Sequence, residues 1–518
     1  MKDNKENKKS KEKAPKKGLG KSAKTLIISV AGVAVLVGIF LLVYFMLPQQ
    51  EDPKDPANMA SVEENSSNDS TAAEYTLVSH VPADIEKIEV ENEHGKYTLL
   101  SETPIHEMTA SDGTTSTVTD STIYTLVGYE DLTLTPGSPD MVANDAASVS
   151  AGKIVNDGSK KSDFGFDSPR ATVKTTFKGG DVTTIIVGDD APDNRGTYIM
   201  IEGDDNVYLV NTDMADGFLI GAMNMISNEI GSAAEDESGN VFTKMVFGGT
   251  LFGSDVEFTY ANSENFSETY RIVSPDNVLA NEEVVTYMIN NVRSLTAEEV
   301  VAVNAEENKI KELGLSEPYV TVKAEYPDLK VDYKASKPDG EGSFYLLTNG
   351  IIYKMSTESV PWVLHDYSDC VVKSILAPKY GSVSGITCEA GGKEYKFDIE
   401  TETTTSNDGS TDITTTTVKC GGNVIDQSKF DTFYQNLTSA ERCGGVEKKP
   451  DGKKSILKVT LTYSDGATSE AEFFEGENRK CPVVMDGAFS SLAYENYVTK
   501  MIEDLPKISA NSDVESIY

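Results

Sequence analysis

Histidine is the first side chain to consider for acid–base work or metal ligation near neutral pH. The chain has four: His80, His94, His106 and His365. Their spacing matches no ligand motif, and HExxH is absent. His365 stands beside Trp362 in VPWVLHDY and reads as a packing or surface residue. Nucleophile and phosphate motifs are missing too: there is no GxSxG, no Walker A and no GxGxxG. The stretch KYGSVSG at 379–385 reads as an ordinary linker. Five cysteines remain, Cys370, Cys388, Cys420, Cys443 and Cys481, without a CxxC. That spacing suggests neither a redox dithiol nor a zinc ribbon. Two disulfides in the last module, among the four cysteines after residue 385, or free thiols throughout, are both compatible with the sequence. The 83 acidic residues guarantee that some carboxylates lie near others, so their pairing carries no information. The loops GDDAPDN (188–194), EGDDN (202–206) and SNDGSTD (406–412) could offer oxygen ligands to calcium, but none has EF-hand spacing. The sequence therefore assigns no catalytic, cofactor-binding or metal-binding residue, and the expectation is a non-enzyme without cofactor.

Charge and hydropathy say more about where the protein works. The first 24 residues carry ten lysines and three acids. Residues 25–47, TLIISVAGVAVLVGIFLLVYFML, contain no charge at all. As a helix at ~1.5 Å per residue they would extend ~34 Å, enough for a hydrocarbon core of ~30 Å. The run is long, it ends in bulky YFMLPQQ rather than a small-residue cleavage site, and no cysteine precedes Cys370 for a lipid anchor. It reads as an uncleaved transmembrane anchor with its lysine-rich flank in the cytoplasm. The rest of the chain, residues 48–518, is then extracytoplasmic. Because the basic residues of the tail stay inside, that part is more acidic than the whole chain, whose net charge is −37. Such a balance opposes nucleic acid as a partner.

The elements fall into a repeating order. Residues 48–83, rich in Pro, Ser, Asn and acids, read as a disordered acidic linker. DIEKIEVENEHGKYTLL (84–100) reads as a β-hairpin, TIYTLVGY (122–129) as a strand and 141–155 as a helix. Paired strands at 171–177 and 182–188, a hairpin over 196–210 and a helix over 212–226 capped by Thr212 complete a first α+β module, 84–232. A second, 240–380, repeats the order with a helix over 281–301, a hairpin over 342–355 and a closing helix in TESVPWVLHDYSDCVVKSIL. A divergent third, 383–510, offers the hairpin 386–400, a helix at 426–440, the strand pair 455–476 and a closing helix at 493–505.

One block appears twice: FGFDSPRATVK at 164–174 and LGLSEPYVTVK at 313–323. Gly165 and Gly314 suit the left-handed position that ends a helix. Pro169 and Pro318 forbid continuation and force the preceding residue to extend. The alternating Val that follow start a strand. A phosphate cradle would need the opposite order, strand before helix. The block is therefore a joint of a fold built more than once.

The joint, together with Ile85 and Ile88 of the first hairpin and the G-x-Y…V-Y-x-V hairpin, resembles the bacterial domain-of-unknown-function family numbered 4340. The residues carrying the resemblance are Gly165, Pro169, Val173, Gly196, Tyr198, Tyr208 and Val210, recurring as Gly314, Pro318, Val322, Gly342, Phe344 and Tyr353. It covers about 84–378, and the first module lacks the family's Trp after its opening hairpin. The resemblance implies no catalytic residue. Because members are often encoded beside ABC-transporter components, it implies an accessory role in the envelope. The reading is thus α+β: one N-terminal transmembrane helix, then tandem modules of antiparallel sheet with packed helices. The expected function is a non-catalytic extracytoplasmic binding or scaffold protein in the cell membrane, accessory to an ABC-type transporter. The alternatives are a cell-wall or glycan binder and a hydrolase using acidic residues.

Overall fold

Alternating apolar residues build the first hairpin. Ile85–Asn92 and Gly95–Glu102 pair in antiparallel register, with Ile88, Val90, Tyr97 and Leu99 buried on one face. The computed structural model describes residues 75–109, 115–155, 159–405 and 412–517. The expected cytoplasmic tail and membrane span, and the linker as far as residue 74, lie outside them. Among the described residues no helix is long and apolar enough to cross a membrane.

Three large antiparallel sheets follow in chain order, with helices on them, and all three share one strand order. A three-strand meander comes first: Ile85–Asn92, Gly95–Glu102, Ile123–Leu126 in the first sheet. The equivalents are Lys244–Gly248, Val256–Tyr260, Tyr270–Ser274 and then Val383–Ala390, Lys393–Thr405, Asp412–Cys420. A crossover with a helix follows, respectively Ser138–Ala147, Glu282–Asn290 and Gln427–Thr438. The chain then returns to the middle. Ala171–Phe177, Val320–Glu325 and Ser455–Tyr463 each pair with the opening strand of their own sheet. From there a second, four-strand meander runs outward. The third sheet lacks the repeated sequence block yet follows this order, so what it shares with the others is strand order rather than joint residues.

The joint works as its residues require. In the second sheet, helix Glu307–Glu312 ends with Gly314 at φ +73°. The Leu315 N–H reaches back to Ile310 O at 2.9 Å and the Gly314 N–H to Lys311 O at 3.1 Å. This is the two-bond Schellman closure, with Leu315 buried against the helix it ends. At the first joint the preceding turn is a 3-10 helix, Lys161–Phe164, shorter than the α-helix of the second. Gly165 has φ +87°, and a Cβ there would lie 2.5 Å from the Asp189 carboxylate carbon and 2.8 Å from its backbone N.

Several elements differ from the sequence expectation, each for a local reason. Tyr75–Ser79, expected to be linker, is a strand, because it pairs with Ser148–Ala151. That pairing also ends the helix expected over 141–155 at Ala147. The helix expected over 281–301 stops at Asn290; the Asn291 carbonyl accepts from Trp362 Nε1 at 2.8 Å, and Leu295 belongs to a strand, Ser294–Thr296. The closing helix after residue 357 is only a 3-10 turn, Pro361–Val363, and one helical turn, Tyr367–Cys370. Pro361 starts the first and the Asp366 carboxylate caps the second. The helix over 212–226 breaks at Gly217, and its cap is Asn211, whose side chain accepts from the Asp213 N–H at 3.2 Å.

The sheets are joined by backbone pairing and side-chain rivets. Glu229–Gly231, after the first sheet, pairs with Ser294–Thr296 in the crossover of the second. Between second and third, Arg442 donates to Val372 O (2.9 Å), Val371 O (2.8 Å) and Gly444 O (3.1 Å), and also to Ser368 O. Asp465 holds Asn262 and Asn265 at 3.1 and 2.8 Å, and Phe266 packs edge-on to Tyr463. One apolar cluster consequently runs through all three sheets, around the buried Trp362 in the second.

The two joint glycines separate backbone strain from steric fit. Gly314→Ala should cost about 1–2 kcal/mol, the left-handed penalty alone, since its Cβ would meet nothing closer than 3.6 Å. Gly165→Ala adds a collision with the backbone of Asp189 and should cost about 1–3 kcal/mol more. Chemical denaturation of both variants checks the order; equal losses would refute it.

Candidate functional site

The third sheet and its crossover helix leave a cleft of about 200 Å³ between them. Its floor is apolar: Ile399 from the second strand, and Phe430 and Tyr434 one helical turn apart on Gln427–Thr438. Asp426 starts that helix by accepting from the N–H groups of Ser428 and Lys429. The hydrogen bond from the Ser428 hydroxyl, foremost, holds the Asp426 carboxyl below its ordinary value. The helix thereby presents Gln427 and Asp431 at the cleft, joined Nε2 to Oδ1 at 2.6 Å. Thr401 and Thr416, paired across neighbouring strands, supply hydroxyls on the other wall. The Tyr434 hydroxyl is buried without a hydrogen-bond partner, and desolvation pushes its pKa up to about 12.

Tyr380 stands at the mouth, 91% exposed. Its turn is fixed rather than loose. The Lys379 N–H donates to Asn265 O at 2.8 Å, Lys379 Nζ to Ser263 O at 2.6 Å, and the Ser382 hydroxyl to Lys379 O at 2.7 Å. On its other side Tyr380 borders a more polar cleft of about 490 Å³ with Asn265, Lys379, Ser464 and Asp465. An aromatic face between two clefts, with an amide, a carboxylate and hydroxyls beside it, can stack on a flat apolar surface and hydrogen-bond around it. In sequence, 379–385 has the composition of a plain linker, which hides the part Tyr380 and Gly381 take in the cleft. The available signal was a Tyr next to a Gly in a turn, with Phe430 and Tyr434 four apart on the following helix.

The residues weighed for chemistry are scattered. His80 stacks on Phe177 at 3.9 Å, His106 meets Asp120 at 3.0 Å on an exposed hairpin, and His365 lies 3.5 Å from Asp369, just before its short helix. His94 is exposed in the first hairpin turn. Among the described residues no three His, Cys, Asp or Glu side chains gather as a metal site. Two of the acidic loops each turn a carboxylate inward. Asp190 accepts from Arg170 and Thr197 at 2.7 Å each, and Asp204 from the Tyr208 hydroxyl at 2.5 Å. Residues 406–411 of the third loop lie outside the described residues.

All five cysteines are free thiols. Cys388 faces Tyr395 and Cys420 faces Phe397, so the strand Lys393–Thr405 stands between the two thiols. Cys481 faces Ala493 while the Cys443 N–H bonds to Leu492 O, so Phe489–Tyr494 separates that pair. Two strand spacings, roughly 9–10 Å, exceed the reach of a disulfide.

Repeated antiparallel sheets of one strand order, tied into a single core, define a protein of tandem α+β modules. The chain belongs to the family described as Domain of unknown function (DUF4340), which it matches over residues 125–236 and 271–459, more than half its length. No curated protein and no solved structure matches it.

Desolvation raises the carboxyl of Asp145 to about 6. It sits on the crossover helix of the first sheet, where one oxygen lies against Gly217 with no partner. A carboxyl raised in the folded state favours folding below its unfolded value near 4 and loses that contribution as pH rises through about 6. Asp145→Asn should therefore raise stability at pH 7, on the order of 1 kcal/mol given its half-exposed position, and leave it unchanged at pH 4. Melting curves at the two pH values measure this; a gain of the same size at pH 4 would rule out the titration.

Proposed function

We propose that this protein is a non-catalytic, extracytoplasmic binding or scaffold protein of the cell membrane, held by residues 25–47 and accessory to an ABC-type transporter. The observation that carries the reading is the continuous apolar core through three sheets of one strand order. A body so joined holds its exposed features at fixed separations, and repetition of a unit without new chemistry extends contact surface. The basic tail and uncharged run support the membrane placement, and the resemblance noted from sequence supports the transporter. A second reading, binding of cell-wall glycan, is favoured by the fixed, exposed ring of Tyr380 beside Gln427, Asp431 and two threonines. A neutral sugar ring fits that set, since it offers an apolar face to an aromatic and hydroxyls to the polar groups.

Both readings are open to one set of experiments. Protease treatment of intact cells should remove the three sheets and spare the lysine-rich tail; cleavage of the tail instead would invert the topology. Crosslinking in cells, followed by purification through the tail, should recover transporter subunits. Recovery of wall glycan alone, abolished by Tyr380→Ala, would replace the transporter reading with the glycan one.

A further inference from the structure

At the edge formed by the opening meander the first sheet differs from the other two. In the second sheet the third strand, Tyr270–Ser274, is covered by Val278–Leu279. In the third sheet Asp412–Cys420 is covered by Asn423–Ile425. In the first sheet the third strand, Ile123–Leu126, is terminal, and among the described residues nothing pairs with its outer edge. It presents exposed apolar side chains. Ile123 is 58% exposed, Val127 44% and Leu100, on the neighbouring strand, 45%. The segment Ile123-Tyr124-Thr125-Leu126-Val127 contains no charge and no proline, the usual devices that keep an edge unpaired.

Register shows which groups are open. The Val127 N–H donates to Thr98 O at 3.0 Å, directly opposite, so the hydrogen-bonded pairs with the neighbouring strand are Thr98/Val127, Leu100/Thr125 and Glu102/Ile123. Tyr124 and Leu126 alternate with these and point their backbone groups outward. The Leu126 carbonyl already accepts from the Tyr129 N–H at 3.0 Å. The N–H and C=O of Tyr124 and the N–H of Leu126 remain on the free side.

We propose that this edge pairs with the same edge of a second copy of the chain, antiparallel, about a two-fold axis at Thr125. An isologous contact needs a self-complementary strand, and this one has that pattern. With Thr125 opposite its own copy, Tyr124 lies opposite Leu126 of the second copy, and the free Leu126 N–H of each copy meets the free Tyr124 C=O of the other. On the outer face, Ile123 falls opposite Val127, so the most exposed apolar side chains of the edge cover each other. The two acidic chains meet through an uncharged strand, which places no like charges opposite one another. The new strand takes the place that Val278–Leu279 and Asn423–Ile425 fill in the sister sheets.

The geometry makes Thr125 a non-hydrogen-bonded pair with its copy, the closer of the two antiparallel spacings at ~4.5 Å between Cα atoms and within disulfide reach. The test is Thr125→Cys in the full-length chain in its own membrane, oxidised with copper phenanthroline and run on a non-reducing gel. A band of twice the chain mass, reversed by reductant, is expected. Tyr380→Cys, fully exposed elsewhere, reports random collision and should stay monomeric. In detergent, light scattering should give a dimer for the unmodified chain and a monomer for Thr125→Lys. Should Thr125→Lys lower the melting temperature, Ile123→Lys, which lies further in solvent, provides the same charge. Crosslinking of Thr125→Cys no greater than that of Tyr380→Cys overturns the proposal. So does capture of a different protein at that position, or an unmodified chain that is monomeric.

Discussion

Each sheet depends on one pairing at its middle. The strand that opens a unit must hydrogen-bond to the strand that follows its crossover: Ile85–Asn92 with Ala171–Phe177, Lys244–Gly248 with Val320–Glu325, Val383–Ala390 with Ser455–Tyr463. The partners are far apart in sequence, so the pairing carries a loop-closure cost. The crossover lowers that cost by being structured itself. It lays a helix on the sheet, and in the first two units it adds a strand at the far edge, Lys153–Ile154 and Glu299–Val303. The left-handed glycines of the joints then aim the chain back to the centre. In the third unit Arg442 and its neighbours do the corresponding work: the Cys443 N–H and Glu447 N–H pair with Leu492 and Ser490 along the last strand.

The same crossovers weld the units together. Ser294–Thr296 serves the second unit and pairs with the segment that leaves the first. Arg442 lies on the third unit's crossover and takes up carbonyls of the segment that leaves the second. A half-buried guanidinium with several carbonyl partners is costly to strip of them, which resists opening of the junction. Rigid joints give meaning to surface features that would otherwise be incidental. Tyr380 keeps its place because Asn265 and Ser263, across a junction, hold the turn that carries it.

Two hairpins leave the body altogether. The second and third strands of the first sheet continue into Ile105–Thr109 and Thr115–Thr119, and those of the third sheet run on as Lys393–Thr405 and Asp412–Cys420. Both stretches of sequence are rich in threonine, as in MTASDGTTSTVT and TETTTSNDGSTDITTTT. Threonine holds a strand through its branched Cβ while tolerating water, and Ile105–Thr109 is exposed along its whole length. The second sheet has no such arm, and the joint block that is most alike in the first two units gave no hint of this kinship between first and third.

Local chemistry was enough for much of the plan. Alternation placed the hairpins at 84–100, 342–355 and 386–400, and Gly314 and Pro318 announced a helix stop before a strand, because turn geometry depends on only a few neighbouring residues. Helix ends were harder. Val292 and Leu295 continue the apolar stripe of Glu282–Asn290, and only the strand at 229–231 explains why Leu295 is extended. Tyr75–Ser79 looked like linker because its partner, Ser148–Ala151, is distant in sequence. The aromatic cleft was invisible for the same reason: Tyr380, Phe430 and Ile399 meet only after the third sheet closes on its helix. The sequence by itself determined the acidic surface, the uncharged run, the strand alternation and the turning joints, all set by side chains within a few residues of one another. The tertiary structure alone decided the common strand order, the separation of the cysteines, the open edge at Ile123–Leu126 and the cleft at Tyr380, because each depends on which distant strands pair and in what register.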